Sequence, residues 1–252
     1  MLSSWRGSSC CQWRGISCEN STGAVVAVDL HNPHPQMYGS SSSSRYGFRN
    51  LSGEVRPSLT KLKSLRHLDL SFNAFNNIPI PEFFGSLKNL QYLDLSNAGF
   101  SGLILPNLGN LSSLQYLDVK SFSLFVGNLE WITGLISLKH LVMDGVDLSM
   151  VGSNWIRVLN SLPSLTKLHL SSCGLSGSIP SLATVNLTSL VAIDLSSNNF
   201  NSKIPNWLVN ISSLLMVDMS NCGLYGRIPL GFGELPNLQV LHLAGNNNLT
   251  AS

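Results

Sequence analysis

From Leu65 onward, apolar residues recur in a Leu-x-x-Leu-x-Leu spacing with a period of about twenty-four residues, the mark of a stacked repeat architecture. The register runs Leu65-Leu68-Leu70, Leu90-Leu93-Leu95, Leu114-Leu117-Val119, Leu138-Leu141-Met143, Leu165-Leu168-Leu170, Leu190-Ile193-Leu195, Leu214-Val217-Met219 and Leu238-Leu241-Leu243. A degenerate earlier coil starts at Val25-Val28-Leu30, and its second half resumes after an insertion, at Asn50-Leu51-Ser52-Gly53. Apolar residues alternate with polar ones through each copy, as a half-buried strand requires. A single short strand cannot bury its apolar side alone, so neighbouring coils must stack around one continuous core. The pattern predicts an α/β solenoid with a parallel sheet along its concave side.

The second half of the clearer coils reads Leu/Phe-x-Gly-x-Ile-Pro, from Leu175 to Pro180 and from Leu224 to Pro229, with a looser copy from Phe200 to Pro205. Glycine permits a turn that other residues resist, and proline fixes φ and removes a donor, so the chain leaves the strand here and crosses the convex side without a long helix. This half-coil resembles the plant-type leucine-rich repeat over nearly the whole chain. The resemblance implies a twisted superhelix with an irregular or 3-10 convex side and a second, minor strand.

Composition narrows the function classes. Charged residues make up 11% of the 252 residues and the formal net charge is +2, without a basic stripe interleaved with aromatics, so nucleic-acid binding has little support. No run of about eighteen apolar residues appears, so no membrane span is expected. The N-terminus lacks a charged region followed by an apolar stretch, which read literally would leave the chain in the cytosol.

The cysteines point elsewhere. Residues 1–24 carry Ser4-Trp5, Cys10-Cys11, Trp13, Gly15-Ile16 and Cys18, followed by Asn20 and Thr22-Gly23. This resembles the N-terminal cap of plant extracellular leucine-rich repeat proteins, and disulfides persist in secreted settings. The resemblance implies a Cys11–Cys18 disulfide and a partner for Cys10 upstream of Met1; the alternative is three reduced thiols. Cys173 and Cys222 occupy the repeat position held elsewhere by Asn73, Asn198 and Asn246. An Asn there can hydrogen-bond the backbones of its own and the next coil, and a buried Cys can replace it as a small weak donor. Two coils apart, these thiols are expected to stay free and buried.

Residues 25–252 then form about nine coils with two irregularities. The segment 31–49, with Ser40 to Ser44, carries no strand pattern and is expected to be a loop. His31 and His34 within it are too few to close a metal site. The inward column runs Asn73, Ala98, Phe122, Val146, Cys173, Asn198, Cys222, Asn246, so the ladder breaks in the middle. The long coil 138–164 carries Trp155, Ile156, Val158, Leu159 and Leu162, which suit a short convex helix capped by Ser153 or Asn154.

The combination of Leu129-Glu130-Trp131 with the Trp155 to Leu165 segment resembles the large plant receptor-like proteins related to the ethylene-inducing xylanase receptors. That resemblance implies the N-terminal part of a leucine-rich ectodomain at the extracellular face of the plasma membrane. It further implies defence-related recognition of a protein, peptide or glycan, with signalling left to receptor-kinase partners. A secreted inhibitor of microbial cell-wall-degrading enzymes and a non-functional truncated remnant remain as other readings. Trp131 and Trp155 are expected to fill the convex packing rather than touch ligand.

Residues between the core leucines form columns spaced by about 4.8 Å on the concave face. One column reads Asp69, Asp94, Asp118, Val142, His169, Asp194, Asp218, His242; its neighbour reads His67, Tyr92, Tyr116, His140, Lys167, Ala192, Met216, Val240. The acids, tyrosines and histidines of this ladder form the candidate ligand-binding surface. Carboxylate pairs such as Asp69 with Asp94, or a Ser171-His169-Asp194 group, have the residue types of acid–base or nucleophilic catalysis. Asp-Leu-Ser is the repeat's own motif, however, so no catalytic residue, metal or cofactor is expected. His169 and His242 bracket Asp194 and Asp218, and a ligand there is expected to bind with pH dependence between about pH 5 and 7. Sequons at Asn20, Asn50, Asn110, Asn186, Asn210 and Asn248 are candidate glycan acceptors, and Asn110, Asn186 and Asn210 share one phase of the repeat.

Overall fold

The protein was described from a computed structural model covering residues 4–33 and 50–250. The strands are short, as a spacing of two or three leucines per coil dictates: β1 (Ile16–Cys18), β2 (Val25–Asp29), β3 (His67–Asp69), β4 (Tyr92–Asp94), β5 (Gly102–Leu103), β6 (Tyr116–Asp118), β7 (Leu124–Phe125), β8 (His140–Val142), β9 (Lys167–His169), β10 (Ala192–Asp194), β11 (Met216–Asp218), β12 (Tyr225–Arg227), β13 (Val240–His242) and β14 (Asn248–Thr250). The main sheet has the order β1-β2-β3-β4-β6-β8-β9-β10-β11-β13. Every pair in it is parallel except β1 with β2. The minor strand implied by the resemblance is present in pieces, β5 with β7 and β12 with β14, with single bridges at Phe125–Asp147 and Ser176–Asn199.

The leucines of the register form the core: Leu68, Leu93, Leu117, Leu141 and Leu168 each have no exposed surface. The convex side crosses in 3-10 turns such as Glu82–Ser86, Pro106–Asn110 and Glu130–Gly134. Adjacent turns touch backbone to backbone. A Cβ on Gly109 would stand 2.2 Å from the carbonyl oxygen of Trp131, and one on Gly134 would stand 2.2 Å from that of Gly109. Only glycine fits there, and the close approach lets the convex side keep pace with strand spacing on the concave side.

The inward asparagines tie the coils together. Asn198 Nδ2 donates to the carbonyls of Leu195 and Leu170, and its Oδ1 accepts from the amides of Cys173 and Leu175. Asn246 repeats the pattern on Leu243 and Met219, and Asn73 on Leu70 and Leu30. Each Asn therefore bridges its own coil and the preceding one, not the next as expected from sequence, because its side chain reaches back across the stack. The thiols of Cys173 and Cys222 donate to the preceding carbonyls of Met143 and Leu195 at 3.2 and 3.1 Å, and both cysteines are free and buried. Burial pushes the two thiols up to about 12 and about 11, so they stay protonated.

Phe122 departs from the inward column. It is 78% exposed, and its ring lies over Gly145, where an added Cβ would meet it at 2.9 Å. A slot that holds Asn, Ala, Val or Cys in the neighbouring coils is too small for a phenyl ring, and the glycine leaves a seat for it outside. The helix α1 (Trp155–Leu159) forms where its apolar spacing predicts, burying Trp155, Ile156, Val158 and Leu159. Neither Ser153 nor Asn154 caps it through a side chain; Asn154 Nδ2 instead donates to Glu130 Oε1 at 2.9 Å, joining the two irregular convex segments. Trp155 stacks on Phe200 with centroids 5.9 Å apart, and Trp131 is buried too, so both have the packing role. Of the insertion, residues 34–49, with His34 and Ser40 to Ser44, lie outside the described residues.

At the N-terminal end Cys11 and Cys18 form a disulfide, and Trp5 stacks on Trp13 at 5.1 Å. The indole of Trp5 donates to the Arg14 carbonyl and that of Trp13 to the Arg6 carbonyl, which fixes this small cap against β1. Asn198→Ala would leave the Cys173 and Leu175 amides and the Leu170 carbonyl without partners, and the Leu195 carbonyl with the Cys222 thiol alone. It is expected to lower unfolding free energy by about 2–4 kcal/mol, with Asn198→Cys costing less because a thiol keeps one donor, as measured by denaturant unfolding. Equal losses for the two variants would show that the ladder contributes volume rather than hydrogen bonds.

Candidate functional site: the concave ladder

Strand register brings the predicted columns together side by side. His67, Tyr92, Tyr116 and His140 are directly opposed in consecutive strands, and so are Asp69, Asp94 and Asp118. The rings stack: His67 on Tyr92 at 4.2 Å, Tyr92 on Tyr116 at 4.3 Å, and Tyr116 edge-on to His140 at 5.7 Å. Parallel, in-register strands force this, since identical positions recur at about the thickness of a stacked ring pair.

The aspartates have a structural task that the sequence pattern alone did not assign. In each coil Oδ1 accepts the backbone N–H two residues on: Asp69 from Ser71, Asp94 from Ser96, Asp118 from Lys120, Asp194 from Ser196 and Asp218 from Ser220, all at 2.9 Å. The Asp-x-Ser step is a turn device that ends the strand. Where β9 carries His169 in place of Asp, Asp144 of the preceding coil supplies the missing acceptor to Ser171 N–H at 3.0 Å. One carboxylate oxygen is thereby committed to the fold; Asp94 is buried, and Asp69, Asp118, Asp194 and Asp218 are partly exposed.

Burial beside the tyrosine column changes the acids. Asp94 is raised, first by desolvation, and Asp118 is pushed up to about 7, again by desolvation and by the neighbouring Asp94 and Asp144 charges. Desolvation also pushes Tyr116 up to about 12 and raises Tyr92 further. Farther along, His169 Nδ1 lies 3.9 Å from Asp194 Oδ2 and His242 Nδ1 lies 3.1 Å from Asp218 Oδ2. Asp218 is lowered, with hydrogen bonds from Ser220 and His242 outweighing its burial. Between these ends His140 is depressed by burial, then by Lys167 and Lys139.

Asp69 and Asp94 stand opposed in neighbouring strands, whereas the Ser171-His169-Asp194 grouping does not assemble. Ser171 Oγ is paired with Ser196 Oγ at 2.9 Å and donates to no histidine, so the Ser171-His169-Asp194 set has no nucleophile–base contact. Asp29, His31 and Asp69 place one ligand-type atom each within 4.8 Å of one another, and His31 Nδ1 lies 2.5 Å from Asp29 Oδ1. Among the sequons, Asn20, Asn110, Asn186, Asn210 and Asn248 are exposed, and Asn110 and Asn210 close equivalent 3-10 turns. Asn50 is partly buried, its Oδ1 accepting from Asn32 Nδ2.

Comparison with known proteins matches this geometry. The family described as Leucine Rich repeats (2 copies) matches residues 63–104, and Leucine Rich Repeat matches 164–184 and 189–211. Receptor-like protein EIX2 of Solanum lycopersicum is 44% identical over 251 residues, 97% of this chain and 24% of the relative. The chain belongs to the plant leucine-rich repeat receptor-like proteins. It spans about a quarter of the length of that curated relative. The solved ectodomain of the Arabidopsis thaliana receptor kinase GASSHO1/SCHENGEN3, in complex with CASPARIAN STRIP INTEGRITY FACTOR 2, superposes with TM-score 0.78 at 26% identity, over 100% of this chain and 28% of that one. The Arabidopsis receptor kinase HAESA, solved with the peptide hormone IDA and the co-receptor SERK1, gives TM-score 0.65 at 27% identity, over 96% and 46%. Among the described residues no helix of this receptor-like chain is long and apolar enough to cross a membrane.

The shifted acid makes a test of the ladder's electrostatics. Unfolded, Asp118 ionises near its ordinary 3.8; folded, it holds its proton to about 7, so stability present at low pH is lost as pH rises through that window. Asp118→Asn keeps the acceptor for Lys120 N–H without the charge. It is expected to gain on the order of 2 kcal/mol over the parent above pH 7 and nothing near pH 4. Unfolding curves at both pH values check this, and a pH-independent difference would refute the burial argument.

Proposed function

We propose that this chain is the non-catalytic ligand-recognition part of an extracellular plant receptor in defence signalling, held at the outer face of the plasma membrane. The observation that carries the reading is the continuous stack His67–Tyr92–Tyr116–His140, flanked by register-aligned carboxylates on an open sheet. Rigid aromatic area at low entropic cost is what recognition surfaces use, and the concave side of a solenoid is where extended partners lie. HAESA is solved with a peptide hormone and a co-receptor, which supports a peptide ligand and a receptor-kinase partner for this chain. Exposed Asn110, Asn186 and Asn210 would carry glycans along one side, leaving the concave face open.

Random linear peptides displayed on phage and selected on the folded chain would test the site. Binders are expected to weaken about tenfold or more on Tyr92→Ala or Tyr116→Ala and to be unaffected by Met150→Ala on the exposed convex side. Binders insensitive to both tyrosines would move recognition off this face. Peptide mass spectrometry of the secreted chain is expected to find glycans on the exposed Asn110, Asn186 and Asn210; their absence from all three would contradict the one-sided placement.

A further inference from the structure

The concave face changes sign along its length, and the change falls within four strands. On β3, β4 and β6 the column beside the rings is Asp69, Asp94, Asp118. On β8 the same column holds Val142, and the ring column continues as His140 and then Lys167. Lys139 and Lys167 are both exposed, and their charges reach the His140 ring between them. Asp144, the acid of this stretch, is already engaged: one oxygen accepts from Ser171 N–H and the other lies 3.6 Å from Lys120 Nζ. The acids and the aromatic stack thus run side by side over β3, β4 and β6 and are followed by a pair of lysines for which no ion pair is found among the described residues.

The rings present edges, because stacking consumes their faces. What meets a ligand there is therefore the tyrosine hydroxyl row and the partly exposed Asp69 and Asp118, with the buried Asp94 reached through the Tyr92 hydroxyl, 3.4 Å from its Oδ2. Hydroxyl and carboxylate oxygens accept hydrogen bonds from an ammonium or guanidinium group, and at Asp118 such a cation takes the place of the proton that the carboxyl otherwise keeps up to about pH 7. From β6 to β9 is two strand spacings, about 10 Å, and an extended chain rises about 3.3 Å per residue, so about three residues separate the acidic and basic zones.

We propose that the concave face between β4 and β9 takes an extended peptide running across the strands, with a Lys or Arg side chain held at Asp94, Asp118 and the tyrosine hydroxyls and an acidic group about three residues away at Lys139 and Lys167. The inference rests on the concave recognition reading and specifies its ligand. The order of charges, set by where Asp gives way to Val142, selects a dipolar segment and repels one carrying the opposite order or a single sign.

The displayed random peptides supply the test. Among binders weakened by Tyr92→Ala, sequences are expected to be enriched in Lys or Arg with Asp or Glu two to four residues away. Synthetic copies of them should lose about tenfold in affinity for the Lys139→Glu/Lys167→Glu variant and regain it when the peptide's acid is changed to Lys. Both lysines are exposed, and the variant's unfolding midpoint serves as the check that the fold is intact. Binders that depend on Tyr92 but show no charge pairing, or that ignore the double reversal, overturn the dipolar ligand and leave the recognition surface standing. Binders independent of Tyr92 and Tyr116 overturn the recognition reading and this inference with it.

Discussion

Each coil of this protein is an incomplete structure. Its apolar residues lie on one side of a three-residue strand and a short 3-10 turn, and only the next coil can exclude water from them. The separation between coils is set by backbone pairing, about 4.8 Å on the concave side, so everything between strands must fit that spacing or leave. The inward slot accepts Asn, which satisfies amides and carbonyls of two coils at once, and accepts Cys, which satisfies them more weakly with sulfur. On the convex side the same limit appears as Gly109 and Gly134, where any side chain would collide with a neighbouring carbonyl.

That spacing also produces the surface. Side chains at one position of the repeat stand over one another because the strands are in register, which converts a recurring Tyr or Asp into a ladder. The aspartates serve the turn through Oδ1 and, where partly exposed, also line the surface, so a substitution to Asn is a surface change and a substitution to Ala is a fold change as well. Partly buried and held close to like charges, these acids cannot all remain fully ionised, and Asp118 keeps its proton up to about neutral pH.

The repeat, its strands and the position of α1 were legible because they depend on periodicity, which a sequence states directly. The Cys11–Cys18 disulfide was implied by resemblance of the cap, not by spacing. What counting could not give was fit. By position Phe122 belongs to the inward column, yet its volume expels it onto Gly145 in the following coil, a contact between residues that no periodic rule pairs. Asn154 has the chemistry of a helix cap but a better partner in Glu130, twenty-four positions away. Ser171 and His169 have the types of a catalytic pair but stand on a strand whose neighbour offers Ser196 instead. The concave residues were legible as columns; their stacking distances, the turn role of Oδ1 and the shifted acids required the register.

The irregular middle of the solenoid links the packing to the surface chemistry. Where Phe122 leaves the core and the long coil inserts α1, Val142 and His169 also replace Asp in the concave column. The turn after β9 then depends on Asp144, an acid reaching from the coil before, and this draws negative charge off the face and into the fold. Lys139 and Lys167 are left without acidic neighbours in their own columns, and the face acquires a basic zone beside its acidic ladder. A perfectly regular repeat would have continued the acids and presented one sign throughout. The departures from consensus are what give this surface a direction, and a directional surface can discriminate among extended ligands where a uniform one attracts them by net charge alone.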